Sequence, residues 1–188
     1  MGNHIDTLCS KLSSLLFLLS RYSQYQNHFL SRLIYTSLIE SRLRYGIVLW
    51  GSASRREFLR VFYLQKRALR IIAGVRRKAP CKTLFQSFGI WTLPSLYIYE
   101  MLLYYNFNYD SIQVGSDVHN YNTRSRDQHR QVPHRLQLSA SLPQNIGPKL
   151  YNKLPQNIKL EKQPSKFKKL LSNYLLQKAF YSVGEFLS

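Results

Sequence analysis

The stretch Arg55-Arg56-Glu57-Phe58-Leu59-Arg60-Val61-Phe62-Tyr63-Leu64-Gln65-Lys66-Arg67-Ala68-Leu69-Arg70-Ile71-Ile72-Ala73-Gly74 decides the fold class. At about 100° per residue, Phe58, Val61, Phe62, Leu64, Ala68, Leu69, Ile71 and Ile72 share one broad side of a helix. Arg56, Arg60, Lys66, Arg67 and Arg70 fall on the other side, with Tyr63 in their midst. A helix patterned in this way lays its apolar side against other helices and turns its charge outward. Gly74 stands where a C′ glycine ends a helix by adopting a left-handed conformation, and Arg76-Arg77-Lys78 carries the charge beyond that end.

From residue 55 to residue 78 there are nine basic residues (Arg55, Arg56, Arg60, Lys66, Arg67, Arg70, Arg76, Arg77, Lys78) against the single acid Glu57, a net of +8. A face that only solvates a helix mixes signs so that neighbours at i,i+4 attract. A face of one sign repels itself and is tolerable opposite an anion. The whole chain repeats the imbalance: 188 residues hold 27 Lys and Arg against 9 Asp and Glu, for a formal charge of +18. Such an excess points to a polyanionic partner, nucleic acid first and an acidic membrane surface second.

Working outward from this helix, further helical patterns take up most of the apolar residues and predict a mostly α protein, a small helical bundle. Leu8, Leu12, Leu15, Leu19 and Tyr22 recur on one face of a first helix. Asn27 is a candidate N-cap for a second, with Leu30, Leu33, Ile34 and Leu38 as its stripe. Gly46-Ile47-Val48-Leu49-Trp50-Gly51 is a short apolar run that reads equally as a strand-like crossing or as a helix end. Pro80 and Pro94 bracket an amphipathic piece around Leu84, Phe85 and Phe88, and Pro94 suits the first turn of the next helix. Leu96 to Phe107 is apolar almost all round and rich in tyrosine, as a buried helix is. Residues 110–146 are expected to form a polar loop or linker between a helical domain over 1–109 and a C-terminal helical segment over 147–188. That segment should end in a helix capped by Ser165, with Phe167, Leu170, Leu171, Tyr174 and Leu175 inward and Lys166, Lys168 and Lys169 outward.

The same residues argue against several chemistries. Nine scattered acids, no two adjacent, do not advertise a two-metal or glycosidase carboxylate pair. Eight glycines form no phosphate cradle of the P-loop or dinucleotide type. His119, His129 and His134 have no cysteine pair nearby to complete a zinc site. Cys9 and Cys81 read as two free thiols, Cys81 inert unless Lys82 lowers its pKa. No enzymatic site and no cofactor are expected. Leu15–Leu19 is far short of the roughly 20 apolar residues a membrane span needs and has no cleavage site behind it, so the chain is expected to be intracellular, nuclear or cytoplasmic, and not secreted.

The expected nucleic-acid contacts are Arg56, Arg60, Tyr63, Lys66, Arg67, Arg70, Arg76, Arg77 and Lys78 around the third helix, joined by Tyr121, Arg124 and Arg126 in the polar stretch. Cations release condensed counterions from phosphates, and rings such as Tyr63, Tyr121 or Trp91 can stack on bases. The alternative from the same features is a membrane-surface protein using the basic amphipathic helices at Arg56–Arg70 and Lys166–Lys178. A third reading is a decayed open reading frame with no selected role.

An ordered set of phrases resembles a known family. These are His4-Ile5 with Lys11-Leu12-Ser13, Ser41-Arg42-Leu43-Arg44-Tyr45-Gly46-Ile47-Val48-Leu49-Trp50-Gly51, Leu64-Gln65-Lys66-Arg67-Ala68-Leu69-Arg70-Ile71-Ile72 and Cys81-Lys82-Thr83-Leu84-Phe85. They continue with Leu93-Pro94-Ser95-Leu96-Tyr97, His119-Asn120-Tyr121-Asn122-Thr123-Arg124 and Tyr151-Asn152-Lys153-Leu154-Pro155. Together and in this order they resemble the C-terminal region of jockey-like non-LTR retrotransposon reverse transcriptases, the part that follows the catalytic palm. The resemblance implies a helical thumb and post-thumb region that grips the backbone of an RNA or DNA template–primer duplex without regard to sequence. It also implies a truncated, non-catalytic remnant, since the family's paired palm aspartates, its endonuclease domain and a Cys-rich knuckle have no counterpart here. A separate palm-containing polymerase is then a candidate partner. Loss of a palm is expected to expose apolar surface, with Leu15–Leu19 a candidate for it.

Overall fold

A computed structural model describes residues 2–23, 28–108 and 137–188, together with 114, 126, 128–131, 133 and 135. The described residues are mostly helical and contain no strand, only an isolated antiparallel bridge between Val114 and His129. Helix α1 (Gly2–Ser23) buries Ile5, Leu8, Leu12, Leu15, Leu16 and Leu19, the stripe its spacing predicts. Tyr22, expected on that stripe, is 48% exposed, because the drift of a straight helix carries the last turn off the core.

Helix α2 (His28–Ile34), a π-helical segment (Tyr35–Glu40) and α3 (Ser41–Arg44) form one rod, since helical backbone runs through both junctions. Asn27, its expected cap, lies outside the described residues. The expected stripe is corrected in part: Leu30 and Leu33 are exposed, Ile34 and Leu38 are half-buried against the core, and Ser31, Tyr35, Ile39 and Leu43 are the buried positions. Steps of four residues drift about 40° each on an α-helix. The π segment, whose bonds run to i+5, takes up that drift and keeps the four positions in line. The glycine-bounded run is helical: Gly46 turns the chain in the left-handed region at φ +62°, and α4 (Ile47–Trp50) follows. The Trp50 indole N–H donates to the carbonyl of Tyr45 at 2.9 Å. At Gly51 a Cβ would lie 2.3 Å from the Tyr97 ring, so only glycine lets these elements touch.

Helix α5 (Arg55–Ile72) is fixed at both ends. Ser54 and Glu57 form a capping box, the hydroxyl accepting from the Glu57 N–H while the carboxylate accepts from the Ser54 N–H. At the other end Gly74 has φ +63°, as its position predicts. Its N–H donates to Ile71 and that of Val75 to Arg70, the paired bonds of a Schellman turn. Val61, Phe62, Gln65, Ala68, Leu69 and Ile72 are buried beneath it. The most extensive packing between helices is α1 on α5, and the two run in the same direction, Asp6 lying by Arg60 and Ser20 by Val75.

After α6 (Lys82–Ser87), helix α7 (Leu93–Asn108) is buried nearly all round from Leu93 to Leu102, as its composition predicts, while Tyr104 and Phe107 in its last turns are exposed. Of the elements that follow, α9 (Pro143–Asn152), α11 (Pro164–Lys178) and α12 (Val183–Leu187) pack on α7, while α8 (Gln137–Ala140) packs on α9 and α10 (Gln156–Lys159) on α11. All of α8 and the start of α9 fall inside the stretch 110–146 expected to be a loop, and Gly147 of α9 lets the Tyr105 ring approach to where a Cβ would meet it at 2.4 Å. Ser165 is not a cap: α11 starts at Pro164, whose missing N–H suits the first turn, and Gln163 holds the cap position without a side-chain bond. Phe167, Leu171 and Leu175 point inward and Lys166, Lys168 and Lys169 outward. One hydrophobic core joins Ile5 of α1 to Phe186 of α12. No described helix is long and apolar enough to cross a membrane.

Candidate nucleic-acid interface

Arg56, Arg60, Tyr63, Arg67 and Arg70 succeed one another on α5 at steps of four, three, four and three, so they form a straight stripe along its outer face. The Schellman turn then folds the chain back, and Arg77 lines the same surface as Arg67 and Arg70. Two adjoining hollows between α1 and α5, about 480 Å³ and about 310 Å³, share Ser13, Arg67, Arg70 and Arg77 and so make one groove. Tyr63 and Arg60 stand at its first lobe, Phe17 and Val75 at its second. Sequence periodicity placed the cations on one face; it carried no signal that α1 would wall a groove beside them.

The cations differ in what they do. Arg60 pairs with Asp6 of α1 at 2.8 Å, an exposed contact that holds the guanidinium charged. Arg70 donates from Nε to the carbonyl of Ala79 and so holds the loop after α5 in place. The Lys66 ammonium lies 4.6 Å and 4.4 Å from the centroids of Phe62 and Tyr63, and burial lowers its pKa, with Arg70 adding to the effect. Arg56, Arg67, Arg76, Arg77 and Lys78 are exposed, and none of them meets a carboxylate among the described residues. Tyr63 is 60% exposed.

The scarcity of acids has a structural counterpart. Each described acid already serves the fold: Asp6 on Arg60, Glu40 and Glu100 on Arg44, Glu57 in the capping box, Glu161 accepting from the Gln163 N–H, and Glu185 on Lys82. The surplus of positive charge is therefore left at the surface, and the α5 stripe is where it concentrates.

Of the other expected site residues, Tyr121 and Arg124 lie outside the described residues, as do His119 and His134. Arg126 is exposed. Trp91, considered for stacking, is taken up internally: its ring stacks on Tyr99 at 4.6 Å and the Arg44 guanidinium lies 5.0 Å from its centroid. The Cys81 thiol is buried, and burial pushes its pKa up against the opposing pull of Arg70 and Lys66, so Lys82 does not activate it. Cys9 and Cys81 are both free thiols.

Sequence reasoning did not foresee the structural roles of two polar residues: Gln65, which holds the frame of the site, and His129, which packs away from it against α7 and α9. Gln65, on the inner side of α5, donates from Nε2 to the Tyr35 hydroxyl and to the Trp91 carbonyl and accepts at Oε1 from the Leu93 N–H, each at 2.8 Å. It thereby locks the rotation of α5 against two other elements. His129 is sandwiched on Tyr151 with ring centroids 4.0 Å apart and exchanges two backbone bonds with the Asn152 side chain. Burial, reinforced by Lys159, lowers its pKa to about 4. A glutamine inside an otherwise apolar arc was the available signal for the first; the second depends on contacts between distant segments.

No family model matches this chain, and no curated protein and no solved structure does so either.

Proposed function

We propose that this chain is a non-catalytic nucleic-acid-binding module that holds a template–primer backbone, without sequence preference, along α5. The observation that carries the reading is the stripe Arg56, Arg60, Tyr63, Arg67, Arg70, continued by Arg77, in which only Arg60, with Asp6, forms an ion pair among the described residues. Phosphate contact is the use for which exposed cations of one sign on a rigid helix are suited, because each neutralised phosphate releases counterions. The resemblance to the C-terminal region of jockey-like reverse transcriptases fits this reading, as does the helical fold. Exposed Phe17, Leu18, Phe29 and Leu33 are the apolar surface that a palm-bearing partner would cover.

The membrane-surface reading draws less support. The apolar sides of both basic helices it relies on are spent on the core, Val61, Phe62, Ala68 and Leu69 in α5 and Phe167, Leu171 and Leu175 in α11, which leaves only charge for a bilayer.

The testing experiment replaces Arg56, Arg67 and Arg77 together with Gln, three exposed positions at which neither an ion pair nor a core contact is lost. Affinity for several unrelated primed templates should fall by a similar factor in each. Unchanged affinity, or a loss confined to one sequence, overturns the proposal.

A further inference from the structure

We propose that the groove between α1 and α5 takes a single-stranded nucleic-acid segment, with an unpaired base stacked on Tyr63 and the adjoining phosphates on Arg67, Arg70 and Arg77. This rests on the nucleic-acid reading above and names the form of the ligand. The walls combine two chemistries that a nucleotide also combines. Arg67, Arg70 and Arg77 line both lobes, and no carboxylate lines either one among the described residues. Between the arginines lie apolar side chains, Leu64 in one lobe and Ile71 and Val75 in the other, which a bare inorganic anion would have no use for. Lobes of about 480 Å³ and about 310 Å³ fall within the size of small-molecule sites, about 300–1,000 Å³.

Tyr63 decides between strand forms. Its ring stands at the first lobe, 60% exposed, with the Lys66 ammonium 4.4 Å from its centroid. Core packing therefore does not account for it. A ring in this position can stack only on a base whose face is available, and a duplex keeps those faces covered by its own stacking. A duplex could set its phosphates against the arginines along the rim but offers no free base face to the ring. A single strand can bend its backbone onto the arginines and turn a base toward the ring.

The test compares anisotropy titrations of a labelled oligothymidylate, its oligouridylate counterpart and a duplex of the same length, each of about a dozen nucleotides. Tyr63→Ala should weaken both single strands by about five- to a hundredfold and leave the duplex nearly unchanged, while Tyr63→Phe should retain the wild-type values. The position is exposed, and thermal melts of both variants establish that they are folded. If Tyr63→Ala affects single strand and duplex alike, or neither, while Arg67→Gln with Arg77→Gln weakens both, the groove assignment falls and the charge-based reading stands. If neither set of substitutions changes binding, both fall.

Discussion

Replacing Gln65 with Leu, a side chain of similar volume, should be far more damaging than any change on the basic stripe, although the residue touches no ligand. The amide makes three bonds at 2.8 Å to groups that have left water: the Tyr35 hydroxyl, the Trp91 carbonyl and the Leu93 N–H. Tyr35 is fully buried, and burial pushes its phenol pKa well above the ordinary range. Leu at 65 leaves all three groups unpaired, and an orphaned buried donor or acceptor costs about 1–3 kcal/mol. Partial relaxation and entry of water trim the sum, so we expect a loss of about 3–5 kcal/mol. Domains of this kind have about 5–15 kcal/mol in total, so the variant should be marginally folded at room temperature. Urea denaturation followed by circular dichroism measures the effect as a lowered midpoint. The double variant Tyr35→Phe with Gln65→Leu removes one orphan and should recover about 1–2 kcal/mol. A Gln65→Leu protein within about 1 kcal/mol of wild type would refute the idea that this amide fixes the rotation of α5.

Gly74→Ala places a Cβ in open space but at φ +63°, so only backbone strain is added; a loss of about 1 kcal/mol and a lower Tm are expected, with weaker nucleic-acid binding because Arg77 is carried by that turn. Gly147→Ala drives a Cβ against the Tyr105 ring and should cost about 1–3 kcal/mol in the same denaturation assay. His129 favours its neutral form when folded, so its contribution to stability is present above its ordinary pKa of 6.5 and is lost as pH falls toward about 4; NMR should place its titration near the lower value, and a midpoint near the ordinary one would contradict the burial argument. Asp6→Asn removes the acid that pairs with Arg60 of the stripe and should tighten binding at low salt, while changing stability by less than about 1 kcal/mol, as exposed pairs do.

How much of this was legible in the sequence depends on the range of the interaction. The α5 face, its glycine stop and the buried α7 were readable because period and composition act within one helix. The stripe of the second helix was misassigned at Leu30 and Leu33 because two apolar stripes compete there. Tyr35, Ile39 and Leu43 won through a π turn and a hydroxyl partner thirty residues away, neither of which periodicity encodes. The cations of the site were found from charge alone. Their division into Arg60 paired with Asp6, Arg70 bracing Ala79 and Arg67 and Arg77 facing a groove needed α1 to be placed beside α5. The capping box at Ser54 and Glu57 was within reach of sequence reading, since Ser and Glu three apart before an apolar run is its signature.

The salt dependence of binding tests the central claim most directly. For a primed template, log K should fall linearly with log salt, by about 0.9 per duplex phosphate contacted and about 0.7 per single-strand one. Replacing Arg56, Arg67 and Arg77 with Gln should make that slope shallower by about two to three. A wild-type affinity that salt leaves unchanged, or a slope the three substitutions do not alter, would contradict the account.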